Sequence, residues 1–377
     1  MAKLCIHLQP FSPDYSGVAT VFYPLNALAV LHDASGCSGT YCGYDEPRWY
    51  GSHTATVCSG LREMDAVLGN DKKLVDNMLE AAEELKTSMF AVIGSPVPMV
   101  VGCDAKGIAR ELETKTGLPG FGFDTTGTRY YDYGIDLAQK ELMSRFLEDS
   151  SERAGVNILG ADYFDFPSGA GYVLSLLESA GINVNAVMPP RTIDDVRRLS
   201  RASISVVLSL SGIGTAERLS KEYGIPYITG VPYGVKGTEV FLSRVRSALH
   251  GEISGDKSHT GDDVLIVGEC ISSQAISDAL YYDYGLTSTV ASIYSDDRKV
   301  RRDGDLFLRS ELEIIRLVRD KRWGLIIADP EFHMLKPAAP LIGFPAHTIS
   351  SRLHESLSLF GDGFEEHIGR KCHERSL

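Results

Sequence analysis

Apolar residues along this chain follow two alternating rhythms. Short β-branched runs with little polar interruption are followed by Gly- or Pro-marked turns, and then by stretches whose apolar positions recur every three or four residues. The first rhythm marks buried strands and the second amphipathic helices. In the first third, strands are predicted over 27–32, 54–58, 89–94 and 120–124. The helix predicted over 70–86 carries Leu74, Met78, Leu79, Ala82 and Leu85 on one face, and 104–116 and 133–147 read similarly. A second unit has strands at 156–160, 184–188, 204–209 and 227–229, with helices at 170–180, 193–201, 214–223 and 238–249.

The stretch 250–262 is rich in Gly, Ser, His and Asp and has no period, so it reads as a linker. Beyond it a third unit restarts, with strands at 263–269, 288–293 and 324–328 and helices at 272–282 and 306–321. Strands alternating with helices of this length imply right-handed crossovers and parallel sheets covered on both faces. The expectation is an α/β protein of three units, over residues 1–150, 151–255 and 256–377. Residues 1–7 read as a first strand, and the charged tail from Gly361 as a fraying end.

Composition adds limits. A 377-residue chain with 44% hydrophobic and 23% charged residues is ordinary globular material. Its net charge of −13 argues against a nucleic-acid partner. The basic clusters at 197–201 and 298–302 read as solvated faces. The start shows no secretion signal, and the longest apolar stretch, 90–102, is interrupted by Pro96 and Pro98. A cytoplasmic protein with no membrane partner is expected. Seven cysteines, an odd number without an export signal, disfavour a disulfide framework and leave thiols for burial, catalysis or metal.

The densest thiol region holds Cys37 and Cys42, with Cys58 following. Cys37 sits just beyond the carboxyl end of a predicted strand, the edge where open parallel sheets bind ligands, and Cys58 ends the next strand. Gly36 and Gly39 would let backbone approach a bulky inorganic group. The alternative is a loop thiol at Cys37 and a small buried apolar residue at Cys58. Gly212, Ile213 and Gly214 make a fragment of a dinucleotide loop, without its third glycine. Gly102, Cys103 and Asp104 open a helix, where the N-terminus can lower a thiol's pKa, or Asp104 can simply cap. The ten histidines show no ligand spacing. His32, Asp33 and Asp124 lie near strand ends as candidate proton donors or as turn and capping residues.

The order of segments carries a resemblance. Ser35, Gly36 and Cys37 follow an N-terminal strand; Glu63 through Asn70 lead into Lys72, Lys73 and Leu74; Gly94, Ser95 and Pro96 precede Gly102, Cys103 and Asp104. Further on come Val156 through Gly160 and Glu222 through Tyr227. Over roughly residues 5 to 350 this resembles the nitrogenase component 1 superfamily. That superfamily includes nitrogenase subunits, dark-operative protochlorophyllide and chlorophyllide reductases, a cofactor-assembly scaffold, and the short nickel-sirohydrochlorin diamide reductive cyclase, whose length this chain matches.

The resemblance implies three Rossmann-like domains with mostly parallel sheets flanked by helices, and a homodimer or a heterodimer with a related subunit. It also implies an iron–sulfur cluster at the interface, supplied with electrons by an ATP-hydrolysing iron protein. Cys37 matches the family's Gly-Cys cluster ligand. The upstream family cysteine falls near Phe11 to Ser16, where there is no thiol and Asp14 or Ser16 would offer oxygen. The third falls at Ser95, eight residues before Cys103, and nitrogenase's cofactor cysteine falls near Ser209. Nitrogenase activity itself is therefore not expected. Cys37 with Cys58 or Cys42 from each of two chains would supply four thiolates for a 4Fe–4S cluster in an oxygen-sensitive protein. Two readings follow: the catalytic component of a two-component reductase acting on a tetrapyrrole-like substrate, or a cofactor scaffold of the same fold.

Overall fold

The computed structural model describes residues 6–8, 11–36, 38, 42, 54–164, 169–253, 255, 257–293, 298–344 and 358–373. Cys5 and Cys37 lie outside the described residues.

The apolar runs form three separate parallel sheets. The first contains β1 (Ala27–Leu31), β2 (Ala55–Cys58), β3 (Met89–Ile93) and β4 (Gly120–Phe123) in the order β2-β1-β3-β4. The second contains β5 (Val156–Leu159), β6 (Val184–Met188), β7 (Ile204–Val207) and β8 (Tyr227–Thr229) in the order β6-β5-β7-β8. The third contains β9 (Val264–Gly268), β10 (Ser288–Ser292), β11 (Leu306–Phe307), β12 (Leu325–Ala328) and β13 (Leu341–Gly343) in the order β11-β10-β9-β12-β13. In each sheet the chain leaves the first strand in one direction and later crosses back to its other side. The reversals lie between β1 and β3, β5 and β7, and β9 and β12. In open parallel sheets a crevice opens at the carboxyl ends of such a pair.

Helices cover the first sheet on both faces. The helices α1 (Asp14–Phe22), α2 (Glu63–Leu68), α3 (Asp71–Leu85), α4 (Pro96–Val101), α5 (Ala105–Thr116) and α6 (Tyr131–Phe146) belong to this part of the chain. Leu28, Val30, Phe90 and Val92 pack under Leu74, Val75 and Met78 of α3 and Ile108 and Leu112 of α5. The alternate residues Ala29, Leu31, Ala91 and Ile93 join Val18 and Phe22 of α1 and Ile135 and Leu142 of α6. The period of two along each strand thus sorts its side chains between two helix layers.

The layer of α1 and α6 is unusually close, and glycine permits it. A Cβ on Gly17 would lie 2.1 Å from the Tyr131 carbonyl oxygen, and one on Gly134 would lie 1.8 Å from that of Asp14. The sequence pattern did not predict α1. Its packing on α6, which also seats it against β1 and β3, accounts for the helix.

The remaining helices are α7 (Gly169–Ser179), α8 (Ile193–Arg198), α9 (Ile213–Tyr223), α10 (Val235–Leu249), α11 (Cys270–Tyr284) and α12 (Glu311–Val318), before short helical turns over 362–373. No helix among the described residues is long and apolar enough to cross a membrane.

Three expectations are corrected. The helix expected over 306–321 begins instead as β11, and α12 starts only after Ser310, whose hydroxyl accepts from the Glu313 amide at 3.3 Å. Ile6 and His7, the described residues of the expected first strand, form bends; the His7 amide donates to the Glu311 carboxylate at 2.8 Å. The tail from Gly361 does not fray over its described residues, 361–373. Phe364, Ile368 and Cys372 are buried in the main core, and the Tyr284 hydroxyl donates to Glu365.

Candidate functional site

Strand alternation decides which side chains meet where β1 ends. Asp33 continues the row of Ala29 and Leu31, and Ser95 continues the row of Ala91 and Ile93, so both emerge on the same face at the first sheet's reversal point. One Asp33 carboxylate oxygen accepts from the Ser95 hydroxyl at 2.6 Å, and the other accepts from Ser38. Cys58, which ends β2 opposite Leu31, donates its thiol to the Asp33 carbonyl at 3.6 Å and lies 3.5 Å from the Ser38 hydroxyl. Ser59 ties the backbone: its hydroxyl accepts from the Asp33 amide at 3.0 Å and donates to the Asp33 carbonyl at 3.2 Å.

Cys42 is half-buried close to this group. Burial first, and then the neighbouring Cys58 and Asp33, push its thiol up to about 12. Cys42 and Cys58 are therefore brought within electrostatic reach of one another at this sheet edge. Cys37 lies outside the described residues, but its neighbour Ser38 bonds both Asp33 and Cys58.

The other sequence candidates serve different ends. Asp14 is buried, and its carboxylate accepts from the amides of Thr126 at 3.2 Å and Gly127 at 2.8 Å, bracing the loop before α6. Burial raises its pKa while those amides pull it back. Ser95 occupies the N-cap position of α4 without a side-chain capping bond, because its hydroxyl donates to Asp33. Asp124 is partly exposed, with Lys106 at 3.8 Å. Asp104 caps α5 through the Gly107 amide at 2.8 Å.

Cys103 runs opposite to the expectation of a thiol lowered by a helix end. Burial, with Asp71, Asp104 and Asp124 around it, raises it to about 11, outweighing any dipole. Gly212 and Gly214 are spent on close packing. Added Cβ atoms would meet the Gly160 amide at 2.7 Å and the Asp136 carboxylate at 1.8 Å, so these glycines do not form an open phosphate loop.

A second cluster was not visible in the sequence. Beyond β5, β7 and β9 the carboxyl ends of the second and third sheets meet the start of α6. Glu269 follows β9, is buried, and caps α11 through the amides of Ile271 at 3.2 Å and Ser272 at 2.7 Å. The same carboxylate reaches across to the Leu210 amide at 3.0 Å, joining the third sheet to the second. Asp162, after β5, accepts from the Ser211 hydroxyl; Ser211 in turn lies 2.8 Å from Ser209, whose hydroxyl donates to the Gly160 carbonyl at 2.9 Å.

Asp132, in the first turn of α6, completes the set. Burial raises its carboxyl to about 7, amides at the helix start oppose the shift, and Glu269 and Asp162 push further upward. Its Oδ1 is buried without a hydrogen-bond partner among the described residues. Three acids sharing a poorly hydrated space cannot all ionise cheaply, and Asp132 is left near half-protonation at neutral pH. The only sequence signal was an acid in a first helical turn, which ordinarily reads as a favourable dipole contact.

Residues 14–260 match the family model of nitrogenase component 1 type oxidoreductases. The chain is 26% identical over 256 residues to the nitrogenase iron-molybdenum cofactor biosynthesis protein NifE of Clostridium pasteurianum, covering 63% of this chain and 54% of that protein. It is 36% identical over 110 residues to a subunit of the light-independent protochlorophyllide reductase of Heliobacterium modesticaldum, covering 28% of this chain and 21% of that protein. The chain thus spans about half the length of the Clostridium relative. Among solved structures, nitrogenase Cp1 at pH 5 superposes with a TM-score of 0.69 at 16% identity, over 93% of this chain and 85% of that one, a likeness of fold. With three parallel sheets in place and the family match running through the first two, the chain belongs to the nitrogenase component 1 type oxidoreductases.

Proposed function

We propose that this chain is the cluster-bearing component of a two-component, nitrogenase-like reductase of the cytoplasm. It would receive electrons from an ATP-dependent iron protein and reduce a tetrapyrrole-like substrate. The observation that carries the reading is the meeting of Cys42 and Cys58 with Asp33 at the first sheet's reversal point. The donor chemistry fits an iron–sulfur group. Two thiols stand near one carboxylate, the sequence puts Cys37 beside Ser38, and a second copy or a related subunit would double the thiolates. When bound, such a cluster would supply single electrons.

The chain's own residues would do the rest. Asp33 orients Ser38 and Ser95 beside the thiols. The Cys42 thiol must lose its proton to ligate, so iron loading strengthens as pH rises toward its raised value. Asp132, poised near neutrality between the sheets, is the acid that would deliver a proton to a reduced carbon.

The test is anaerobic purification with iron and sulfide analysis alongside native mass, repeated on Cys58→Ser and at two pH values. The reading expects about one four-iron cluster per dimer, lost in the variant, together with substrate-dependent ATP hydrolysis when an iron protein is added. A variant that keeps its iron would refute the ligand set. The similarity to a cofactor biosynthesis protein favours a second reading, a scaffold that holds a cofactor for delivery. A preparation that carries a passenger cofactor and never turns over would select it.

A further inference from the structure

The opposite face of the same sheet edge carries a different set of donors. His32 continues the row of Leu28 and Val30 under α3 and α5, whereas Asp33 continues the row under α1 and α6. Adjacent residues at the end of β1 therefore serve two separate places. A ring nitrogen of His32, a carboxylate oxygen of Asp71 at the start of α3, and the Sγ of Cys103 just before α5 all lie within 4.8 Å of one another. We propose that these three side chains bind a zinc-type divalent ion, one per chain, distinct from the Cys42 and Cys58 edge.

Four observations carry the assignment. The donor set is mixed nitrogen, oxygen and sulfur, which suits Zn²⁺ and disfavours Mg²⁺ or Ca²⁺. Tetrahedral bonds of about 2.0–2.3 Å put ligand atoms about 3.5 Å apart, so small rotations of half-buried Asp71 and Cys103 close the triangle. The His32 ring is already oriented, because Nδ1 meets the Ser59 hydroxyl at 2.8 Å and leaves Nε2 to offer. That is the second partner a ligating histidine ordinarily keeps. Asp71 also has no basic partner among the described residues, whereas the neighbouring Asp104 and Asp124 have Arg110 at 3.4 Å and Lys106 at 3.8 Å. A divalent ion would supply that missing positive charge. Three protein ligands leave a fourth position for water. The ion would tie the end of β1 to the starts of α3 and α5.

This site does not depend on the cluster reading, and the test keeps the two apart. The full-length protein is stripped with chelator under anaerobic conditions and titrated with Zn²⁺ and with Co²⁺ as a spectroscopic probe. One ion per chain is expected, with a thiolate-to-cobalt charge-transfer band. Cys103→Ser should abolish the band, while a Cys42→Ser, Cys58→Ser double variant should retain it. Asp71→Asn should weaken binding at least tenfold, and Ser59→Ala by about tenfold through loss of ring orientation. Circular dichroism checks each variant's fold. Should Cys103→Ser fail to fold, the Asp71→Asn affinity decides, since that side chain is not buried. Absence of binding, a band that survives Cys103→Ser, a band lost in the double variant, or unchanged affinity in Asp71→Asn would each overturn the site.

Discussion

Replacing Asp132 with asparagine should make this protein more stable, and increasingly so as the solution becomes alkaline. The carboxyl is raised from its ordinary 3.8 to about 7. A raised carboxylate means that the fold prefers the protonated form. The unfolded chain ionises first as pH climbs past about 4, stability is lost through the interval up to about pH 7, and the loss levels off above it. At about 1.36 kcal/mol per pH unit the full penalty is about 4 kcal/mol.

Near pH 5 only the unfolded carboxyl is ionised, and the penalty is about 1.5 kcal/mol; near pH 8 almost all of it applies. Asparagine keeps the shape and carries no charge. Its lost contacts with the amides at the start of α6 cost about 1 kcal/mol at either pH. The stability difference between variant and native chain should therefore widen by about 2–3 kcal/mol from acid to alkaline conditions. Urea unfolding at the two pH values reads this directly as a shift in midpoint at constant slope. A difference that stays flat with pH, or widens toward acid, would refute the placement of Asp132 in a buried acidic cluster.

Two further perturbations test the packing that holds the site. Gly134→Ala should lower the urea midpoint by the equivalent of about 3 kcal/mol, although alanine in an open helix would ordinarily gain about 1 kcal/mol over glycine. Its Cβ would stand 1.8 Å from the Asp14 carbonyl oxygen, and an unchanged midpoint would show that α1 and α6 are not in contact as described. Phe364→Ala should cost about 3 kcal/mol or more, because the ring is only 1% exposed and stacks on Tyr233 at 6.3 Å and on Tyr284 at 6.5 Å. Near-native thermal stability in that variant would return the tail to the frayed state that its charge suggested.

Much of the architecture was legible because it is written in local periods. Runs such as Val264 through Val267 read as strands buried on both faces, and the four-residue spacing from Leu74 to Met78 and Ala82 reads as a helix face. The capping role of Asp104 was likewise readable within a few residues. Family membership was legible in the order of such segments, and the family match over residues 14–260 bears it out.

What escaped depends on partners that no local pattern names. The helix α1 forms from a stretch with glycine and β-branched residues because α6 lies against it. The tail is held because Phe364 and Ile368 find the main core. Cys103, read from the sequence only as a thiol at a helix start, stands with His32 and Asp71, because neighbouring residues at a strand's end face opposite helix layers. Nothing in the sequence joins Asp132, Asp162 and Glu269, which lie far apart along the chain. Amphipathic periods determine which segments become strands and helices, since burying one face is a local requirement. Strand order and the packing between sheets decide which acids share a buried space. Charges in such a space are fixed by distance and solvation, quantities that exist only once the chain has folded.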